Sequence, residues 1–230
     1  MMRQNRSGRT APSAPPPKDD PPLVMIVDDD AAVREALHEL MLSAGLRPVC
    51  FASTRELLEA GVLDRPGCLI LDVRMPGASG LDLQHELAAR GDPKPIIFLT
   101  AHGDIPMTVQ AMKSGAVDFL TKPVRDQTLL DAVTAAIARD VAQRASASVV
   151  RRTVERLETL TPREREVLSA VARGRLNKQI AYELGISEVT VKLHRGNVMR
   201  KMQFGSISEL VRAWESLPAE LRQARTAQTL

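Results

Sequence analysis

Residues 21–37, PPLVMIVDDDAAVREAL, set an apolar run, Leu23 to Val27, directly against three consecutive acids, Asp28, Asp29 and Asp30. Five apolar residues without polar alternation read as a strand buried on both faces, the pattern of a parallel sheet covered by helices. Val33, Leu37, Leu40, Met41 and Ala44 then recur at helical spacing, with Asp30 placed as N-cap one residue before AAVREAL. Strand, acidic loop and helix make half of a βαβ unit. Like charges repel, and a carboxylate beside a buried strand end is hard to ionise. The three acids therefore call for compensation from elsewhere in the chain.

The same pattern recurs downstream. CLILDV, PIIFLT and VDFLTKP are further buried strands, and RPVCFAS is a weaker one. Leu129, Leu130, Val133, Ile137 and Val141 form a later helical stripe. Residues 23–143 thus read as a five-stranded parallel sheet, doubly wound, with right-handed crossovers and a site at the carboxyl ends of the strands. Asp72 ends the strand LILD, beside the end of the first strand, so Asp28, Asp29 and Asp72 converge in one crevice. Carboxylates crowded in this way ionise together when a cation joins them, and Mg²⁺ suits a few hard oxygens plus a phosphate. Thr100 supplies a hydroxyl at the next strand end, and Lys122, followed by Pro123, an ammonium at the last. Acids, hydroxyl and ammonium together form a phosphoryl-transfer constellation, with a carboxylate as the attacking group.

The 230 residues carry a net charge of +3 that is unevenly spread: +2 over 1–22, −6 over 23–143 and +7 over 144–230. An acidic body followed by a basic end points to a polyanionic partner for the second. No apolar stretch has membrane-spanning length, and no apolar segment follows the N-terminal arginines as a secretion signal would require. Cys50 and Cys68 have no metal-ligand spacing and fit small hydrophobes in a reducing cytoplasm. Residues 1–22, rich in Pro, Arg and Ser, read as a disordered leader. Residues 144–158 read as a partly helical linker, 159–217 as four short helices and 218–230 as a frayed tail.

LTPREREVLSAVARG opens the second domain with Thr161 as N-cap, Pro162 at the first helical position and Glu164 closing a T-x-x-E capping box. NKQIAYELGIS follows, with Asn177 as expected cap and Gly185 as stop, and Ser187 caps SEVTVKLHRGNVMRKM. Two helices joined by the L-G-I-S turn read as a helix-turn-helix. At 100° per residue, Val191, Val198 and Met202 fall within about 40° of one another and face inward. Val189, Lys192, Leu193, Gly196 and Arg200 lie opposite, a face suited to a major groove. Arg195 and Lys178 are expected to meet phosphates. Leu210, Val211, Trp214 and Leu217 form a stripe on the last helix that serves either the monomer core or a dimer contact.

The ordered set Asp28-Asp29, Asp72, Thr100-Ala101, Phe119, Lys122-Pro123 resembles the receiver domain of bacterial two-component response regulators, a flavodoxin-like α/β fold. GDIPMTVQAMKSGAVDFLTKP is similar to the FixJ-type subgroup. LTPRE, NKQIA and IS-VTVK-HR-NVM-KM resemble the LuxR-type (FixJ/NarL) DNA-binding domain. The resemblance implies that Asp72 accepts a phosphoryl group, with Asp28, Asp29, Asp72 and the main-chain carbonyl of Arg74 around Mg²⁺. By the same resemblance Thr100 and Lys122 turn toward the phosphoryl oxygens, Phe119 moves inward behind Thr100, small Ala101 leaves room, and the Lys122–Pro123 bond is cis. Arg74 and His102, each two residues past a site residue, are expected to border the phosphoryl group.

The function implied is a cytoplasmic, phosphorylation-activated transcriptional regulator rather than a turnover enzyme. Its expected partners are a sensor histidine kinase, promoter DNA bound as a homodimer, and RNA polymerase, with no membrane. Two other readings use the same residues. One is a DNA-binding protein with a phosphorylation-independent receiver as its dimerisation module. The other is a metal-dependent phosphatase, for which a helix-turn-helix would serve no purpose.

Overall fold

The structure is a computed structural model that describes residues 21–91, 94–101, 103–219 and 222, and it divides into two compact units between Gln143 and Arg144. The first 20 residues of the expected leader and most of the expected tail lie outside the described residues.

The first unit alternates β1 (Leu23–Val27), α1 (Ala31–Ser43), β2 (Arg47–Phe51), α2 (Thr54–Glu59), β3 (Gly67–Leu71), α3 (Gly80–Ala89), β4 (Ile96–Thr100), α4 (Ile105–Lys113) and β5 (Asp118–Thr121). It closes with the start of α5 (Asp126–Glu158). All strand pairs are parallel, in the order β2-β1-β3-β4-β5, as the sequence pattern predicts. The chain steps outward from β1 to β2, then returns to pair β3 on the other side. That reversal opens a crevice at the carboxyl ends of β1 and β3.

Successive strand residues point to opposite faces. Met25, Leu69, Leu71 and Phe98 pack with Leu57 of α2, Leu83 and Leu87 of α3 and Ala111 of α4. Val24, Ile26, Ile70 and Ile97 pack with Leu37 and Met41 of α1 and Leu129, Val133 and Ala136 of α5. Both strand faces are dry, which is why the strands read as unbroken apolar runs. Cys68 belongs to this second layer, and burial pushes its thiol up to about 12.

Apolar periodicity does not delimit α2 and α3, although both carry start signals. Ser53 Oγ accepts from the Glu56 amide while Glu56 accepts from the Ala52 amide at 2.6 Å. Ser79 and Asp82 form a reciprocal capping box at α3. Both helices are short, so their apolar periodicity is weaker than their caps.

The second unit holds the remainder of α5 with α6 (Pro162–Ala172), α7 (Asn177–Leu184), α8 (Glu188–Met202) and α9 (Ile207–Glu215). Residues 144–158 are helical throughout. No Gly or Pro interrupts 126–158, so nothing stops the helix where the composition turns polar. Leu157 is buried and Val150 and Val154 pack against the same core as Val167, Leu168, Ile180, Val191, Val198 and Met202. Leu210 and Leu217 of the α9 stripe are buried there and Trp214 packs against the same core, while Val211 is half-buried.

Candidate functional site

The parallel register brings Val27 beside Leu71, so the residues that follow, Asp28 and Asp72, leave the sheet together. Asp28 is 2% exposed and Asp72 8%, while Asp29 is exposed. The three offer carboxylate oxygens within 4.8 Å of one another. The compensation called for by the acidic run is Lys122, whose Nζ lies 2.5 Å from Asp28 Oδ2 and 2.9 Å from Asp72 Oδ2. Lys122 reaches them because its amide donates to the Thr100 carbonyl at 2.8 Å, prolonging the β4–β5 ladder by one residue. The Lys122–Pro123 peptide is cis.

Burial raises the Asp28 pKa and outweighs the Lys122 hydrogen bond and the Asp30 amide, which donates to Asp28 Oδ1 at 3.0 Å. For Lys122, burial favours the neutral amine, but hydrogen bonds from its ammonium to Asp28 and Asp72 prevail and leave its pKa raised. The two carboxylates thus hold Lys122 protonated, while Lys122 offsets only part of the effect of burial on Asp28.

Phe119 and three neighbours that sequence reasoning passed over, Arg34, Gly80 and Gly103, shape this crevice. Arg34 donates to the Asp28 carbonyl at 2.7 Å, a main-chain partner invisible to side-chain pairing rules. Gly80 opens α3 so closely against Asp72 that a Cβ there would lie 2.3 Å from the Asp72 carbonyl oxygen. Phe119 is half-buried with its ring centroid 5.9 Å from that of Phe98. A Cβ on Gly103 would meet the Phe119 ring at 2.8 Å, so that glycine makes room for it.

Thr100 is 1% exposed at the end of β4, and Ala101 is exposed. Arg74 is exposed; its amide donates to Asp72 Oδ1 at 3.1 Å. His102 lies outside the described residues. The donor set fits a hard divalent cation: three carboxylates converge, one of them exposed, and their excess negative charge is offset by a single lysine. Chemically, the arrangement can present an Asp72 oxygen as a nucleophile while Lys122 meets the incoming negative charge.

In the second unit, Ser187 Oγ accepts from the Thr190 amide and starts α8, and Gly185 closes α7 at φ 63°. Val191, Val198 and Met202 are buried. The opposite face is open: Val189 is 75% exposed, Leu193 64%, and Lys192, Gly196 and Arg200 are exposed. A side chain at Gly196 would extend into open space. Lys178 is exposed near the start of α7.

One expectation changes here. Asn177 is the first residue of α7, not its cap; the Leu176 amide donates instead to Gln179 Oε1 at 2.9 Å. Freed from capping, Asn177 Oδ1 accepts from Arg195 Nη1 at 2.6 Å, and Arg195 is half-buried. Tyr182, 90% exposed on α7, was not singled out by the sequence pattern.

Thr161 and Glu164 form the expected capping box, and Glu164, 3% exposed, also accepts from Lys201 Nζ at 2.6 Å. Burial raises the Glu164 pKa, but Lys201 and Thr161 outweigh it and leave it below the ordinary 4.5. A lowered carboxylate pKa stabilises the fold fully above the unfolded value and progressively less as pH falls through the folded one. Glu164→Gln is expected to cost about 1–3 kcal/mol at neutral pH. In urea unfolding the gap to wild type narrows below pH 4.5; a gap independent of pH would overturn this.

Among the described residues, no helix is long and apolar enough to cross a membrane. Residues 24–134 match the family described as response regulator receiver domain, and residues 158–214 match bacterial regulatory proteins, luxR family. Nodulation protein W of Bradyrhizobium diazoefficiens is 53% identical over 186 residues, covering 81% of this chain and 82% of the relative. Transcriptional regulatory protein FixJ of Azorhizobium caulinodans is 48% identical over 182 residues, covering 79% and 86%. Among solved structures, response regulator StyR superposes with a TM-score of 0.74 at 47% identity, covering 85% of this chain and 99% of that one. With an acidic crevice on a receiver sheet and an exposed helix face in a LuxR-type unit, the chain belongs to the FixJ-type two-component response regulators, phosphorylation-dependent regulators of transcription.

Proposed function

We propose that the protein works in the cytoplasm, where Asp72 takes a phosphoryl group from the phosphohistidine of a sensor kinase. An Asp72 carboxylate oxygen attacks phosphorus; the P–O bond forms as the P–N bond breaks, and the imidazole leaves with the bonding pair and takes up a proton. Asp28, Asp29 and Asp72, with the Arg74 main-chain carbonyl, would hold Mg²⁺, which when bound offsets the negative charge of the phosphoryl oxygens. The observation that carries the reading is the pairing of Lys122 with both Asp28 and Asp72. It puts a cation where the new phosphoryl charge arrives.

That charge draws Lys122 and the Thr100 hydroxyl toward it. Phe119 follows inward, with Ala101 leaving space, and the receiver shifts toward a second state already in its ensemble. The helix α4, with β5 and the start of α5, is the face that changes. On α4, Ile105 is 80% exposed and Val109 and Met112 are each 43% exposed, an apolar stripe one helix face wide. This stripe supports homodimerisation of phosphorylated receivers, which pairs two LuxR-type units on a two-fold promoter site. Val189, Lys192, Leu193, Gly196 and Arg200 meet the major groove, and Arg195 and Lys178 meet phosphates. The bound dimer engages RNA polymerase. The protein turns over no substrate beyond forming and losing its own phosphoryl group.

The test is intact-mass and peptide analysis after incubation with acetyl phosphate. One phosphoryl group is expected, located at Asp72, with magnesium and not with excess EDTA. Modification elsewhere, or none, would overturn the reading.

A further inference from the structure

The end of α8 is held by residues that come before the helix-turn-helix. Arg156, on α5, donates from Nη1 to the Met202 carbonyl at 2.9 Å and from Nη2 to Gln203 Oε1 at 2.7 Å. Lys201 answers from the other side, its Nζ donating to the Thr159 carbonyl at 3.2 Å as well as to Glu164. The last residues of α8 are thus tied to residues 156–164 by four hydrogen bonds, Arg156 supplying two.

The chemistry at this end favours such a clasp. The final carbonyls of a helix lack intrahelical partners and carry partial negative charge, so a guanidinium there satisfies acceptors and opposes the dipole together. Gln203 leaves the helix with φ at 55°, a left-handed turn rarely adopted by residues other than glycine. Its side chain is turned back to Arg156. Arg156 lies upstream of the segment that matches the LuxR family, 158–214. Its neighbours Val154 and Leu157 pack into the unit's core, so the residue is carried on a seated helix.

We infer that Arg156 is a positioning residue for DNA reading: it fixes the C-terminal end of α8, and with it the angle at which Val189, Lys192, Leu193 and Gly196 are presented. At 1.5 Å per residue the helix is about 22 Å long, so pivoting it by about 5° displaces its far end by about 2 Å. That exceeds the distance tolerance of a hydrogen bond to a base edge. Contacts to phosphates through long, flexible lysines absorb such a shift. Loosening Arg156 therefore degrades sequence discrimination while leaving non-specific attraction intact. The inference rests on DNA binding by the LuxR-type unit and not on phosphorylation.

The test uses the full-length, untreated chain and two duplexes: one recovered from a random-sequence pool by the wild-type protein under the same conditions, and a scrambled version of it. Arg156→Ala is expected to lose about tenfold in affinity for the selected duplex, the scale of a mismatched base pair. Affinity for the scrambled duplex, and the slope of log affinity against log salt, stay at the wild-type values. Arg156→Lys, with one cation and no fork, recovers part of the ratio. Gln203→Ala, which removes one of the two acceptors, loses part of it. If the two affinities fall together and the salt slope becomes shallower, Arg156 is a phosphate contact and the inference is overturned. An unchanged ratio in a folded alanine variant overturns it equally. Should that variant unfold, the lysine and Gln203→Ala proteins decide the question by the same ratio, read against their circular dichroism.

Discussion

Asp72→Asn protein treated with acetyl phosphate and magnesium gains no phosphoryl mass, and its affinity for promoter DNA stays at the untreated level. Wild-type protein in the same experiment is expected to gain about 5–150-fold, the range of a typical coupling free energy. Asparagine keeps the shape of Asp72 and can still accept from the Arg74 amide, but its amide is no nucleophile at phosphorus. Lys122 retains Asp28 as partner, so the variant remains folded. Titration of a fluorescent duplex with both proteins, with and without acetyl phosphate, measures the gain. An equal gain in the variant would remove Asp72 from the signalling role and leave the receiver as a passive dimerisation module.

Lys122→Met has the largest expected effect on stability. The change leaves Asp28 and Asp72, both nearly buried, without the cation that pairs them. Breaking a buried pair from one side costs about 3–5 kcal/mol. Here the crevice admits water, since the Lys122 side chain is 19% exposed and Asp29 is exposed, so the low end of that range, about 3 kcal/mol, is expected. Magnesium should restore much of the loss, because a divalent ion binds the same oxygens without a lysine competing for them. Urea unfolding with magnesium and with EDTA reads both effects. Variant and wild type of equal stability in EDTA would mean that the lysine does not balance the acids.

The strands and the acidic crevice were legible because both follow from period and topology. Apolar runs without alternation specify a doubly covered parallel sheet, and such a sheet gathers its strand ends, hence Asp28, Asp72, Thr100 and Lys122. What stayed hidden depends on partners that side-chain patterns do not encode. Arg34 bonds a main-chain carbonyl, and Gly103 matters for an atom it lacks. Arg195 stands close to the DNA-facing side of α8 on a helical wheel, and its bond to Asn177 of the preceding helix is not readable from either helix alone. Residues 144–158 look like a linker because they are polar and basic. Their few apolar members, Val150, Val154 and Leu157, nevertheless fall at helical spacing and are what the second core collects.

The bridge from Lys122 to Asp28 and Asp72 also separates two things that a metal site often joins. A receiver whose acids already have an internal counter-ion does not wait for a divalent ion to reach its native state. On the proposed mechanism, magnesium starvation would then silence the regulator without depleting it, and protein made during scarcity would accept a phosphoryl group as soon as the ion returned.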